Sequence, residues 1–178
     1  MSTDTNADVS VRILGADEAR ERIGELSQVL LDCVEGGASV SFMLPLERPT
    51  ADAFWRDVAA GVAGGKRTLV VAEDGTGVIG TVQLITDMPP NQPHRADVAK
   101  LLVHRRARGA GVGRRLMEAV HDAARMQGRT LLVLDTASAT AERLYARLGW
   151  QRIGTVPDYA LLPDGGLCAT AFYYKRIG

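Results

Sequence analysis

The sequence holds 178 residues, 46% hydrophobic and 24% charged, with 21 basic and 21 acidic side chains cancelling to zero net charge. A chain of this length buries a sizeable core unaided, so one domain spanning 1–178 is expected, with residues 1–10 as a flexible tail. Zero net charge speaks against a general nucleic-acid binder, two cysteines (Cys33 and Cys168) exclude a disulfide scaffold, and no apolar run approaches the ~18 residues of a membrane span.

Ala19, Ile23, Leu26, Leu30 and Val34 recur at helical spacing, predicting one helix over 16–35 that Gly36-Gly37 stops. Pro49 and Thr50 open a second helical stretch, carried by Phe54, Val58 and Val62 and ended by Gly64-Gly65. The period then changes. Thr68–Glu73 and Val78–Ile85 read as strands joined by the hairpin turn Asp74-Gly75-Thr76-Gly77. A Pro-rich loop at Met88–Pro93 leads to a strand from Arg95 to Val103 and then to a basic, glycine-rich turn. Leu116, Ala119, Val120, Ala123 and Ala124 give an apolar face to a helix running from Val112 towards Gly128. Leu131–Leu134, an unbroken apolar run, predicts a strand buried on both faces. Ala141, Leu144, Tyr145 and Leu148 mark a short helix closed by Gly149. Strands at Trp150–Val156 and Ala169–Lys175, joined by a turn at Pro163–Gly166, finish a mixed α/β domain.

Charge is unevenly spread. The stretch Arg95–Arg129 carries nine basic and three acidic residues, whereas the first 94 residues carry seven and fourteen. Local positive charge in a neutral chain suits a compact polyanionic ligand, although solvated helix faces are the better account of Arg105, Arg125 and Arg129. At the centre of the stretch lies Arg108-Gly109-Ala110-Gly111-Val112-Gly113, between a strand and a helix. Glycines let the backbone approach a ligand, and the N–H groups opening the helix point outwards at it, which fits a pyrophosphate. A P-loop would need Gly-Lys-Ser/Thr, which is absent. A dinucleotide fingerprint would need glycine where Arg114 stands, and would sit on the first strand of a doubly wound sheet.

The turn resembles Arg/Gln-x-x-Gly-x-Gly/Ala, the coenzyme A pyrophosphate loop of the GCN5-related N-acetyltransferases (GNAT). Downstream, Ser138-x-x-Ala141-x-x-Leu144-Tyr145-x-x-Leu148-Gly149-Trp150 is similar to that family's Asn-x-x-Ala-x-x-Leu-Tyr-x-x-x-Gly-Phe. Gly36–Met43, Arg95-Ala96-Asp97-Val98, Leu134-Asp135-Thr136 and Leu162-Pro163-Asp164-Gly165 resemble its tabtoxin-resistance branch. The resemblance implies a mixed, mostly antiparallel sheet flanked by helices around a strand–helix–strand acetyl-CoA unit. It also implies acetyl transfer, without metal, to a small-molecule amine, amino-acid-like or an antimetabolite or toxin. Acetyl-CoA would be held by Leu102, Val103, Arg108, Gly109, Ala110, Gly111, Val112, Gly113 and Arg114, with Ser138 where the family often has Asn.

Such chemistry needs a carboxylate to bind an ammonium and take its proton, because a primary amine with pKa near ~10.4 is charged at neutral pH. Asp97 is the first candidate, on a strand entering the site where many relatives carry Glu; a pair with Arg95 or Lys100 is the structural alternative. Asp135 ends an apolar strand, a costly place for an unpartnered charge, and is the second; capping the next helix is its alternative. Tyr145 matches the family tyrosine that protonates the departing thiolate, against the alternative of a core tyrosine. Phe42 and Tyr159 are weaker candidates for the acceptor wall. His94, His104 and His121 read as loop or surface residues, His94 being a minor alternative base. A silent acyl-CoA sensor and a protein N-terminal or lysine acetyltransferase remain as competing readings. The polar opening Met1–Asp8 lacks a signal-peptide core, so a cytoplasmic monomer or homodimer with no nucleic-acid or membrane partner is expected.

Overall fold

A computed structural model describes residues 9–178; residues 1–8, most of the expected flexible tail, lie outside the described residues. Ser10 already belongs to the first strand. In chain order the elements are β1 (Ser10–Leu14), α1 (Ala16–Glu21), α2 (Ile23–Glu35), α3 (Arg48–Ala63), β2 (Arg67–Asp74), β3 (Gly77–Ile85) and β4 (Arg95–Val103). A short 3-10 turn at Arg105–Ala107 precedes α4 (Val112–Met126), β5 (Leu131–Thr136), α5 (Ala139–Arg147), β6 (Gln151–Leu161) and β7 (Leu167–Arg176).

All seven strands form one sheet in the order β1-β2-β3-β4-β5-β7-β6. Every neighbour pair is antiparallel except β4–β5. Alternation along the strands sends side chains to two separate cores. Val70, Val82, Leu84, Ala96 and Leu132 meet Leu116, Met117 and Val120 of α4 on one face. Leu69 and Val71 meet Leu26, Leu30 and Trp55 of α2 and α3 on the other. Each fully buried large apolar side chain contributes roughly 1.5–3 kcal/mol, so both helical layers are held firmly to the sheet.

Two irregularities in β4 shape the site. Its parallel pairing with β5 covers only Arg95/Leu131, Ala96/Leu132 and Asp97/Val133, after which the strands part. Against β3, Thr81 opposes Leu102 but Gln83 opposes Ala99, so β4 carries an extra residue. Lys100 absorbs it with a left-handed φ of 54°, and its carbonyl accepts from Thr81 Oγ1 at 3.2 Å.

Some expectations change. β1 lies outside the predicted elements: Val9, Val11 and Ile13 alternate with Ser10 and Arg12, but the run is short and in the edge strand only Leu14 is buried. The single helix over 16–35 is two, broken at Arg22, whose side chain pairs with Glu25 and Glu73. In β5 only Leu132 and Leu134 are fully buried, while Leu131 and Val133 are half-buried on the opposite face. His121 is no surface residue: it is 5% exposed, and its Nε2 accepts from Trp150 Nε1 at 3.1 Å.

Candidate active site

The gap between β4 and β5 opens into a cavity of about 1180 Å³. One limb runs over the glycine-rich turn and the start of α4; the other runs under the α2–α3 loop and the β6–β7 hairpin.

The turn is shaped by backbone more than by side chains. Gly109 and Gly111 take φ of 81° and 76°, and a Cβ on either would project into open space, where a ligand could lie. Gly111 is the N-cap of α4 with no side-chain cap, so the first N–H groups of that helix face the cavity without a partner in the helix. Gly80 lets α4 approach the sheet: a Cβ there would meet Leu102 O and Leu116 Cδ1, each at 3.0 Å. This limb therefore suits a pyrophosphate, and the unpaired stretch of β4 up to Leu102 and Val103 suits an extended, amide-bearing arm.

Charge in this region is tied down more than the composition suggests. Arg95, Arg105, Arg106, Arg114 and Arg125 each pair with a carboxylate: Asp97, Asp32, Asp74, Glu118 and Asp122 respectively. Arg108 turns inwards, its Nε donating to Val103 O at 3.1 Å while Cys33 Sγ donates to the same carbonyl at 3.4 Å. Fewer free guanidinium groups face this limb than the arginine count implied.

Tyr145 lies where the two limbs meet, 4% exposed, its ring 5.9 Å from Trp150 and 5.8 Å from Tyr173. Burial, reinforced by the negative charge of Asp135, raises its phenol well above the usual range, so it is a neutral donor at physiological pH. Asp135 lines the cavity at the end of β5, its Oδ2 accepting from Thr170 Oγ1 at 2.8 Å. It does not cap α5. Ser138 does, accepting from Ala141 N at 3.2 Å, which leaves its O–H free to donate into the cavity it also lines.

Asp97 differs from its expected place. It is ion-paired with Arg95 and is not part of the cavity lining. In register with Val133 it shares a sheet face with Asp135, one pleat further along, and Ala99 stands between it and the open space. Phe42 and Tyr159 both line the far limb, whereas the exposed His94 lies away from it. Lys100 and Ser41, which the motif reading passed over, also line that limb. The available signal was a lone lysine inside Val98–Val103, a run otherwise made only of Val, Ala and Leu. No group of three or more His, Cys, Asp or Glu suited to a metal occurs among the described residues, and no described helix is long and apolar enough to cross a membrane.

A seven-stranded sheet splayed at one parallel pair, with the uncapped N-terminus of a helix at the opening, defines a mixed α/β domain. Residues 65–152 match the acetyltransferase (GNAT) domain family, and the chain carries a domain of that family. N-acetyltransferase 8B of Rattus norvegicus is 37% identical over 87 residues, 47% of this chain; the match spans only 39% of that relative. Two solved structures share the fold at low identity. An N-acetyltransferase from Staphylococcus aureus Mu50 has TM-score 0.80 at 16% identity, covering 97% of this chain and 100% of its own. A phosphinothricin acetyltransferase from Sinorhizobium meliloti, in complex with acetyl-CoA, has TM-score 0.80 at 18% identity, covering 96% and 89%.

Proposed function

We propose that this protein transfers the acetyl group of acetyl-CoA to the amino group of a small molecule. One observation carries the reading: a single cavity joins the uncapped glycine turn to Asp135 and Tyr145. The first N–H groups of α4, around Val112, Gly113 and Arg114, hold the pyrophosphate, with Arg108, Gly109, Ala110 and Gly111 forming the turn beneath it. Backbone groups of β4 that β5 leaves unpaired, through Leu102 and Val103, hold the pantetheine arm, and the Ser138 hydroxyl adds a donor. Bound there, acetyl-CoA supplies the acyl group and the thiol leaving group.

Asp135 binds the acceptor's ammonium and takes one proton, and the neutral amine then attacks the thioester carbon. The nitrogen's second proton, lost as the adduct collapses, replaces the one that Tyr145 gives to sulfur. Asp97, one pleat away and held by Arg95, acts at a distance through water. Tyr145 returns a proton to the departing sulfur, a task for which a phenol kept neutral by burial is suited. A small acceptor is favoured over a peptide because the far limb is bridged: Leu44 N donates to Pro163 O at 2.8 Å, and Ser39 Oγ to Leu161 O at 3.3 Å. The likeness to the tabtoxin-resistance branch supports an amino-acid-like, antimetabolite or toxin acceptor, and with it a resistance role in the cytoplasm.

Release of free thiol from acetyl-CoA across a panel of amines tests the reading. Amine-dependent release, with mass spectrometry of the acetylated product, is expected. Tight acetyl-CoA binding with no release from any amine would leave the silent acyl-CoA sensor. Release with peptides alone would move the acceptor to protein.

A further inference from the structure

Among the described residues other than glycine, three have left-handed backbone: Ser41, Lys100 and Asp158. The first two hold each other across the cavity, Lys100 Nζ donating to Ser41 Oγ at 3.2 Å. Such backbone costs of order 1–3 kcal/mol per residue and persists where the surrounding structure imposes it, commonly at binding sites. Here the extra residue of β4 imposes it on Lys100 and the α2–α3 loop imposes it on Ser41.

The outcome is an ammonium group delivered into the far limb without a fixed counter-charge. No carboxylate lies within ion-pair distance of Lys100 among the described residues; its one hydrogen-bond partner there is a neutral hydroxyl. Asp135 is near enough to favour the charge but is itself bonded to Thr170. Burial in turn lowers the affinity of Lys100 for its proton, with Arg67 adding to that effect. A half-buried cation without an anion is expensive, and a bound oxyanion would offset the cost. No other basic side chain lines this limb: Phe42, Met43, Tyr159 and Cys168 surround it, and the cavity's arginines lie on the glycine turn and on α4 and α5. The limb therefore offers one anion, Asp135, and one cation, Lys100.

We propose that Lys100 determines acceptor specificity, its ammonium group binding an oxyanion on the acceptor, a carboxylate in the simplest case, while Asp135 receives the acceptor's amino group. Ser41 is the positioning residue that holds the ammonium in the limb until the acceptor arrives. This rests on the acetyl-transfer reading for its rate measurements, and on binding alone for its second readout.

The experiment compares α-, β- and γ-amino acids with their methyl esters as acceptors, in the wild type, Lys100→Asn and Lys100→Arg. Asparagine tolerates a left-handed backbone, so it removes the charge with little risk to the fold. In the wild type, KM should be lower for at least one acid than for its ester, by about 10- to 100-fold, as a charged hydrogen bond of ~1.5–3 kcal/mol implies. Lys100→Asn should abolish that difference, leaving KM for the ester and for acetyl-CoA near the wild-type values. Lys100→Arg should restore part of it. An equal fall in kcat for acid and ester in Lys100→Asn would instead mark Lys100 as acting on the thioester, and overturns the proposal. So does a wild type that prefers no acid to its ester. Calorimetric titration of the same pairs into protein saturated with coenzyme A provides the second readout. Acids that bind in a Lys100-dependent way without any thiol release would sink the acetyl-transfer reading and keep this one.

Discussion

The pyrophosphate end of the proposed coenzyme A limb comes from seven consecutive residues, Arg108 to Arg114, whereas the proposed acceptor limb is assembled from β4, β5, the α2–α3 loop and the β6–β7 hairpin. The first limb works with backbone N–H groups and with two glycines whose missing side chains leave room. The second works with side chains, Asp135, Lys100, Ser41, Thr170 and Tyr159, no two of which are adjacent in the chain. A backbone-built site binds whatever has the right phosphate geometry. A side-chain site reads one acceptor, and it can be rewritten without disturbing the other limb.

The sharpest way to break this division is Gly111→Val. A side chain there fills the space over the turn and meets a φ of 76° that valine resists. Acetyl-CoA affinity should fall by at least ~100-fold, the loss expected when two charge-assisted hydrogen bonds are displaced. Unchanged affinity in a variant that keeps its circular dichroism spectrum would remove the turn from the coenzyme site.

Tyr145→Phe comes next, at the junction of the limbs. It deletes one oxygen from a ring packed between Trp150 and Tyr173. A positioned acid contributes ~10²–10⁴-fold, and the low end is expected because a thiol with pKa near ~8.5 already leaves readily. The loss should appear in the chemical step, with coenzyme binding retained. A variant as fast as the wild type when chemistry limits would reduce Tyr145 to packing.

Within the acceptor limb, Asp135→Asn should lower turnover by roughly tenfold or more, and Asp97→Asn by less, since a carboxylate at the cavity wall outweighs one acting through water. Acetyl-CoA affinity should stay near the wild-type value in both. If only thermal stability moves, both aspartates are structural. A larger effect at Asp97 would return it to first place.

The smallest effect tests the scaffold that both limbs share. His121 of α4 accepts from Trp150, whose ring packs on Tyr145, and burial lowers the imidazole pKa to about 4. Its folded value lies below the ordinary ~6.5, so the unfolded chain binds the proton more readily and acid favours unfolding. The contribution is complete above pH 6.5 and is lost as pH falls towards 4, with a slope of up to ~1.4 kcal/mol per pH unit. His121→Gln keeps an acceptor for Trp150 without titrating, so its melting temperature should decline less steeply across that window. Parallel profiles would assign acid sensitivity to other groups.

What the sequence by itself determined is what short stretches of chain decide. Helical and strand periods located all of the main elements except the edge strand β1. The turn Arg108–Gly113 was legible as a turn because its shape resides in consecutive backbone groups, which glycine placement reveals directly. The place of Tyr145 on a short helix was legible because Ala141, Leu144, Tyr145 and Leu148 keep a helical period. Tertiary structure alone decided the rest. The choice of Asp135 over Asp97 for the cavity wall follows from where β4 and β5 part. Burial of His121 depends on Trp150, 29 residues away, and the place of Lys100 on one extra residue in β4 and a serine 59 residues upstream. Such contacts join residues that no local period connects, and burial and charge act on them only once the sheet has brought them together.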